Sequence, residues 1–279
     1  MREDGAMIEA GTFPISSGTA TIEPDPWTPG AFLLRVNGVE SSQLNPDTPT
    51  ELGFEYMRWA AAVLTHRFAT DQRIRVLHLG GAGCTFARWV TAVYSQAHQV
   101  AVELDAGLAE LARTRFELPR APQLKIRVGE AGEVLAGMRP GTREVVFRDV
   151  FAPVSDDPDA LHVTPEHLTG VSAAASAASV LTPGGVYLMN IGGGPDLTSV
   201  RQEVAALCEV FPHVEVMADA TMLKGRRRGN VIAAASDVPL TDESLGGPSA
   251  LARTLLSDPV PARLVDSVEN FTAGARPRP

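Results

Sequence analysis

The sequence predicts an α/β protein built on a doubly wound, mostly parallel sheet, and two observations carry that prediction. From Arg73 onward, apolar runs of strand type alternate with segments of helical periodicity. The run Arg75-Val76-Leu77-His78-Leu79 also enters a glycine turn, Gly80-Gly81-Ala82-Gly83-Cys84, and a helix follows it. A second strand, Val100-Ala101-Val102-Glu103-Leu104-Asp105, then ends in acid about 20 residues on, the arrangement of a nucleotide-binding βαβ unit. Glycines let the backbone approach a ligand closely, and the helix start presents unpaired N–H groups. A carboxylate at the second strand's end can accept both ribose hydroxyls.

The elements follow in order. Residues 1–48 lack helical periodicity, and Thr19–Glu23 and Phe32–Val36 read as short strands separated by Pro24, Pro26, Pro29 and Gly30. Asn37-Gly38 signals a tight turn, so a small antiparallel β unit is expected over 1–48. Pro49 to Arg67 carries Leu52, Tyr56, Trp59, Ala60 and Val63 at helical spacing, with Thr48 as cap. Strands are then expected at 74–79, 99–104, 124–128, 144–149, 185–191, 213–218 and 229–235. Helices are expected at 84–95, 106–116, 130–137, 164–181 and 196–210. A nucleotide-binding α/β domain thus spans 49–240, and a C-terminal extension covers 241–279, helical over Ser249–Leu256 and frayed from Gly274.

Only Ala220 to Gly229 joins the last two strands, with no helix between them. A parallel crossover needs about a dozen residues or more, so the seventh strand should run antiparallel to the sixth. A seven-stranded sheet with a reversed last strand points to the class I S-adenosylmethionine-dependent methyltransferase fold, a Rossmann-like fold distinct from the NAD-binding one. Phe86 stands where the dinucleotide fingerprint wants its third Gly or Ala, and no Tyr-x-x-x-Lys pair exists for hydride chemistry.

Composition excludes several classes. A formal net charge of −9 argues against a nucleic-acid binder. No apolar run is long enough to span a bilayer, and Met1–Gly5 lacks a signal pattern, so a cytoplasmic protein is expected. The two cysteines, Cys84 and Cys208, form neither a disulfide framework nor a metal-ligand spacing.

These residues resemble the spermidine synthase-like aminopropyltransferases over roughly residues 30–236. The family's Gly-Gly-Gly-Asp-Gly turn reads Gly80-Gly81-Ala82-Gly83-Cys84 here, and its Val-Glu-Ile-Asp strand end reads Val102-Glu103-Leu104-Asp105. Its Gly-Asp-Gly segment, whose acid meets adenine, resembles Gly129-Glu130-Ala131, and a glutamine on the nucleotide's thioether-bearing chain is similar to Gln43. The resemblance implies S-adenosylmethionine or its decarboxylated form as a substrate, no metal, a small-molecule acceptor and a homodimer. The amine half departs from the pattern. The turn's acid falls at Gly83, the Asp-Ser-Ser-Asp-Pro segment reads Asp149-Val150-Phe151-Ala152-Pro153, and the phenol of Tyr-Gln-Glu-Met falls on Phe54 of Phe54-Glu55-Tyr56-Met57. A polyamine needs carboxylates to replace its hydration, so a standard putrescine acceptor is not expected.

Each candidate has a structural alternative. Glu103 is read as the ribose acid, whereas Asp105 also suits the N-cap of the next helix. Glu130 is balanced between an adenine contact and a first-turn acid. Asp149, at the fourth strand's end, is the candidate catalytic base, with a loop cap or a bridge to Arg148 as the alternative. In the segment from His162 to His167, Thr164, Pro165 and His167 read as N-cap, N1 and N3 of a helix, and His167 as structural or exposed, with a base at the active-site mouth as the alternative. Cys84 reads as a small packing residue. The run Lys224-Gly225-Arg226-Arg227-Arg228 is a solvated hairpin, or else folds over the cleft to meet an anionic group. Two functions follow: an S-adenosyl nucleotide-dependent transferase moving aminopropyl or methyl to an altered acceptor, or a catalytically degenerate nucleotide-binding or dimer-forming homologue.

Overall fold

A computed structural model describes residues 8–153 and 162–279. Met1–Gly5 and the side chain of His162 lie outside the described residues. The N-terminal unit is a four-stranded antiparallel meander of β1 (Gly11–Ile15), β2 (Gly18–Pro24), β3 (Phe32–Val36) and β4 (Val39–Leu44). The expected pair appears as β2 and β3. The outer strands escaped the sequence reading because Pro14 interrupts β1 and Ser41-Ser42-Gln43 blurs the alternation of β4. Asn37 and Gly38, both at positive φ, make the expected tight turn. Ala20, Ile22, Leu34 and Leu44 face inward onto Leu108, Leu111 and Phe116 of the larger unit.

Helix α1 (Glu55–Arg67) begins six residues later than Pro49, because Phe54 is extended and the Arg58 guanidinium takes the carbonyls of Leu52 and Gly53. The chain then alternates through β5 (Arg75–Leu79), α2 (Thr85–Val93), β6 (His98–Glu103), α3 (Ala106–Arg115), β7 (Leu124–Val128), α4 (Ala131–Ala136) and β8 (Arg143–Arg148). Two-residue strands β9 (Ala152–Pro153) and β10 (His162–Val163) pair with each other. Then come α5 (Gly170–Val180), β11 (Leu181–Gly193), α6 (Thr198–Cys208), β12 (His213–Asp219), α7 (Ala220–Leu223) and β13 (Gly229–Ser236). The chain closes with α8 (Gly247–Leu256), β14 (Ala262–Leu264) and α9 (Val268–Thr272).

The large sheet has the order β14-β12-β13-β11-β8-β5-β6-β7. Strands β11, β8, β5, β6 and β7 are parallel, and β13 runs antiparallel to both β11 and β12, as the short connection requires. The order reverses between β5 and β8, which opens a crevice at the carboxyl ends of those strands. Three expectations need correction. The sheet has eight strands, because the three-residue β14 pairs with β12. A single helical turn, α7, stands in the connection expected to lack helix, capped by Asp219. The helix expected over 164–181 is split: Glu166–Leu168 form a 3-10 turn, Thr169 is extended, and α5 starts at Gly170.

The tail is docked rather than frayed, since the Arg278 carbonyl accepts the Val171 N–H at 3.0 Å. The C-terminal segment also closes over α1. Leu251 and Leu255 join the core around Trp59, whose indole donates to the Val260 carbonyl at 3.1 Å. No helix among the described residues is long and apolar enough to cross a membrane.

Candidate active site

The crevice is a cleft of about 1790 Å³ that runs from Glu103, Leu104 and Ala131 past Asp149 to Asp196, Arg228 and Asn230. Single-ligand pockets reach roughly 1,000 Å³, so this one has room for two reactants side by side. Its centre is fixed by backbone contact. The Gly80 N–H donates to the Val102 carbonyl at 3.1 Å, and the Asp149 N–H donates to Leu79 at 2.8 Å. Gly80 has φ of 91°, and a Cβ there would lie 2.2 Å from the Asp149 carbonyl oxygen. Only glycine permits the turn to pass this close.

Glu103 ends β6 facing the turn. Its Oε2 accepts the N–H groups of Gly81 (3.3 Å) and Ala82 (2.8 Å), and its Oε1 accepts that of Asp105 (3.0 Å). Oε2 is thus filled by the turn, whereas Oε1 keeps a lone pair for the cleft, which Glu103 lines. Asp105 lines the same end, but its carboxylate is already engaged. It caps α3 through the Leu108 N–H at 2.8 Å and binds the N–H groups of Ser16 and Ser17 at 3.0 and 2.6 Å. Burial opposes ionisation there, and the Ser17, Leu108 and Ser16 hydrogen bonds outweigh it, holding the carboxyl well below its usual range. Asp105 therefore ties the first hairpin to the nucleotide half. Glu130 sits at the start of α4, as the helix reading expects, though as its N-cap through the Glu133 N–H (2.7 Å), and it meets His167 Nε2 at 2.8 Å on the cleft wall. Ala131 lines the cleft beside it.

Two sequence-selected residues do not reach the cleft. Gln43 turns away and donates its amide to Asp25 and Thr28, while its neighbour Ser42 faces inward by strand alternation. Gly83 packs under β4: its N–H donates to Ser42 Oγ at 3.0 Å, and a Cβ would lie 2.8 Å from Ser42 Cβ. The missing acid at this position is thus dictated by docking of the β unit and says little about the acceptor. Cys84 is buried at the start of α2 with its thiol pushed up to about 12 by burial, the inert packing residue expected.

Asp149 anchors the middle of the cleft. Tyr56 Oη donates to its Oδ2 at 2.8 Å, and Asn190 Nδ2 donates to its Oδ1 at 2.9 Å. Burial raises the carboxyl above its ordinary value, and the Asn190 and Tyr56 hydrogen bonds and the Arg148 charge pull it back in part. Arg148 points to the opposite face and pairs with Glu203 at 2.5 Å, so the bridge weighed as an alternative for Asp149 is not formed. Tyr56 and Asn190 were not singled out from sequence. Tyr56 sat on the apolar stripe of its helix, and the available signal was that a buried phenol needs a partner. Asn190 was the polar interruption in Val186-Tyr187-Leu188-Met189-Asn190-Ile191. Phe54 stacks on Tyr56 with ring centroids 5.9 Å apart, and the phenol that meets Asp149 stands two residues after Phe54.

His78 lines the floor, 3% exposed, with Nε2 at 2.8 Å from Gln99 Oε1. Burial lowers its pKa from 6.5 to about 4, so it stays neutral in the folded protein. The unfolded chain binds a proton at about 6.5 and the folded chain does not. Stability is therefore full above pH 6.5 and declines toward pH 4, by about 3 kcal/mol from this group. Urea denaturation of the protein and of His78→Gln should show a steeper acid decline in the parent, and parallel profiles would contradict this.

The far half holds Phe151 and Ala152, but also the carboxylates of Glu55 and Asp196, so it is not stripped of acid. Of the basic run, Arg228 lines the cleft, whereas Arg227 is tied to Asp219 and Thr221. Among the described residues no group of three or more His, Cys, Asp or Glu side chains is placed to hold a metal ion.

A reversed last strand, a glycine turn facing a strand-end acid and an antiparallel β unit ahead of them define a methyltransferase-like α/β fold carrying an extra N-terminal sheet. Comparison with known proteins narrows the class. A probable spermidine synthase from Corynebacterium glutamicum is 39% identical over 97% of this chain and 96% of its own, with a TM-score of 0.86. The chain belongs to the spermidine synthase-like family. Polyamine aminopropyltransferases of Neisseria meningitidis are 32% identical over 111 residues, which is 39% of this chain and 41% of theirs. Human methyltransferase-like protein 13, solved with SAH, shares the fold at 23% identity and a TM-score of 0.58, covering 74% of this chain and 94% of its own. No protein-family model matches the chain.

Proposed function

We propose that the protein is an aminopropyltransferase that takes its group from decarboxylated S-adenosylmethionine and passes it to an amine. The observation that carries this reading is the Tyr56–Asp149–Asn190 cluster at the switch point, two strands from the ribose acid Glu103. Glu103 holds the ribose hydroxyls, Ala131 and Glu130 border the adenine, and Leu104, 71% exposed on the cleft wall, gives the base an apolar face. Gly80 and Gly81 let the nucleotide lie against the turn, while Gln43, Gly83 and Asp105 act behind it.

The chemistry needs little beyond alignment. The amine's lone pair attacks the propyl carbon next to the sulfonium, the C–N bond forms as the C–S bond breaks, and the electron pair returns to sulfur as a neutral thioether. The nitrogen's surplus proton passes to Asp149, which must be ionised to accept it. Tyr56 and Asn190 hold that carboxylate in place and favour its charged form. Their presence favours an active transferase over the degenerate homologue. The division 1–48, 49–240 and 241–279 fits this reading, with the β unit backing the nucleotide half, as do a cytoplasmic setting and a homodimer.

Incubation with decarboxylated S-adenosylmethionine and an amine should release methylthioadenosine. Release of S-adenosylhomocysteine from S-adenosylmethionine instead would assign methyl transfer. Tyr56→Phe removes a donor that lowers the Asp149 pKa, so the acid limb of the kcat/KM profile moves to higher pH. Turnover below that limb falls by about 10–100-fold, the worth of a hydrogen bond to a charged group. An unmoved limb would remove Tyr56 from the mechanism.

A further inference from the structure

Asp149 sits midway across the cleft. Counting from β6 through β5, β8 and β11 to β13, Glu103 and the start of β13 are four strand spacings apart, roughly 19 Å at about 4.8 Å each. The nucleotide half ends at Asp149 and a second half of equal breadth lies beyond it. Gly193 of β11 pairs with Gly229 of β13, so the turn before β13 stands at the mouth of that second half.

The turn is held there by packing. Gly225 has φ of +65°, and a Cβ on it would fall 2.3 Å from the Pro195 carbonyl oxygen, so Lys224–Arg228 rests on the loop leaving β11. Arg227 is braced on the far side by Asp219 and by Thr221 Oγ1 at 3.1 Å. Its neighbour Arg228 is not engaged there and lines the cleft with Asp196, Gly229 and Asn230. Asp196 is fixed by Thr198 Oγ1 at 2.8 Å, and Glu55 meets Asn230 Nδ2 at 3.4 Å on the α1 side. The second half therefore presents the carboxylates of Glu55 and Asp196 and the Arg228 guanidinium, and Arg278, held beside the start of α5, also borders the cleft. A plain diamine has a use for the carboxylates, but its ammonium is repelled by the guanidinium. A guanidinium's planar fork matches a carboxylate.

We propose that the acceptor is an amine that also bears a carboxylate, of the diamino-acid type. Its reacting nitrogen lies at Asp149, its other ammonium against Glu55 and Asp196, and its carboxylate on Arg228. The proposal rests on the transferase reading above. A carboxylate could also come from the tail of undecarboxylated S-adenosylmethionine, but the sheet spacing sets Arg228 on the other side of Asp149 from the ribose acid.

The test is calorimetric titration of the protein saturated with methylthioadenosine, using putrescine and L-ornithine, which differ by one carboxylate. L-ornithine should bind at least about tenfold more tightly. Arg228→Gln should erase that difference, leaving methylthioadenosine affinity within about twofold, weakening L-ornithine and tightening putrescine as the repulsive charge is lost, and Arg228→Lys should restore part of it. Equal or weaker binding of L-ornithine, or a preference that survives Arg228→Gln, overturns the proposal. So does a loss of S-adenosylhomocysteine affinity in Arg228→Gln with methylthioadenosine unchanged, which would give the carboxylate to the nucleotide. Failure of methylthioadenosine to bind the parent protein defeats the transferase reading itself and this proposal with it.

Discussion

Asp149→Asn should lower kcat by about 10²–10⁴-fold while leaving methylthioadenosine affinity within about threefold. The substitution keeps the size of the side chain and removes its capacity to take a proton. Asp149 is also where two buried donors converge, Tyr56 Oη at 2.8 Å and Asn190 Nδ2 at 2.9 Å. An amide can satisfy one of them and must turn its own NH₂ toward the other, so a modest loss of thermal stability is expected as well. Asp149→Ala removes the base too but leaves both donors unpaired, so it should lose more stability than Asp149→Asn for a comparable loss of turnover. Both variants should be inactive if proton acceptance matters. Retained turnover in either, with the fold intact by circular dichroism, would take Asp149 out of the reaction.

Glu103→Gln should weaken nucleotide binding by about 10²–10³-fold, the loss of charge-assisted hydrogen bonding to the ribose. The effect has a specific signature. Glu103 holds the turn through the Gly81, Ala82 and Asp105 N–H groups, so the variant disturbs the loop as well as the ligand contact. The two contributions separate when methylthioadenosine is compared with its 2′-deoxy analogue. The parent should discriminate between them by about tenfold or more, and Glu103→Gln should bind both alike. Discrimination that persists in the variant would mean that another group holds the ribose.

The nucleotide half was largely legible in the sequence, for a physical reason. A buried parallel strand, a glycine turn and a strand-end acid are local in the chain, so their spacing records their geometry. The reversed strand was legible too, because nine intervening residues cannot make a crossover, although they do contain the single turn α7. The acceptor half was not. Tyr56 and Asp149 are 93 residues apart and Asn190 a further 41, and only the sheet order brings them together. Phe54 occupies the position where the family pattern has its phenol, while the phenol that reaches Asp149 belongs to Tyr56. The same limit explains Gln43 and Gly83. Which face of β4 looks into the cleft depends on how the N-terminal sheet docks, and the docking turns Gln43 toward Asp25 and presses Gly83 against Ser42. The basic run divides between Arg227, tied to Asp219 and Thr221, and Arg228, which lines the cleft, and irregular backbone ahead of β13 leaves no periodicity from which to read that division.

The proposed reaction requires an adenosine thioether lying between Glu103 and Asp149. Calorimetric titration of the parent protein with methylthioadenosine measures that directly. A one-to-one complex with Kd in the micromolar range, weakened by about 10²-fold or more in Glu103→Gln and little changed in Asp149→Asn, is the predicted result. No binding of methylthioadenosine or of decarboxylated S-adenosylmethionine, or binding indifferent to Glu103, would contradict it.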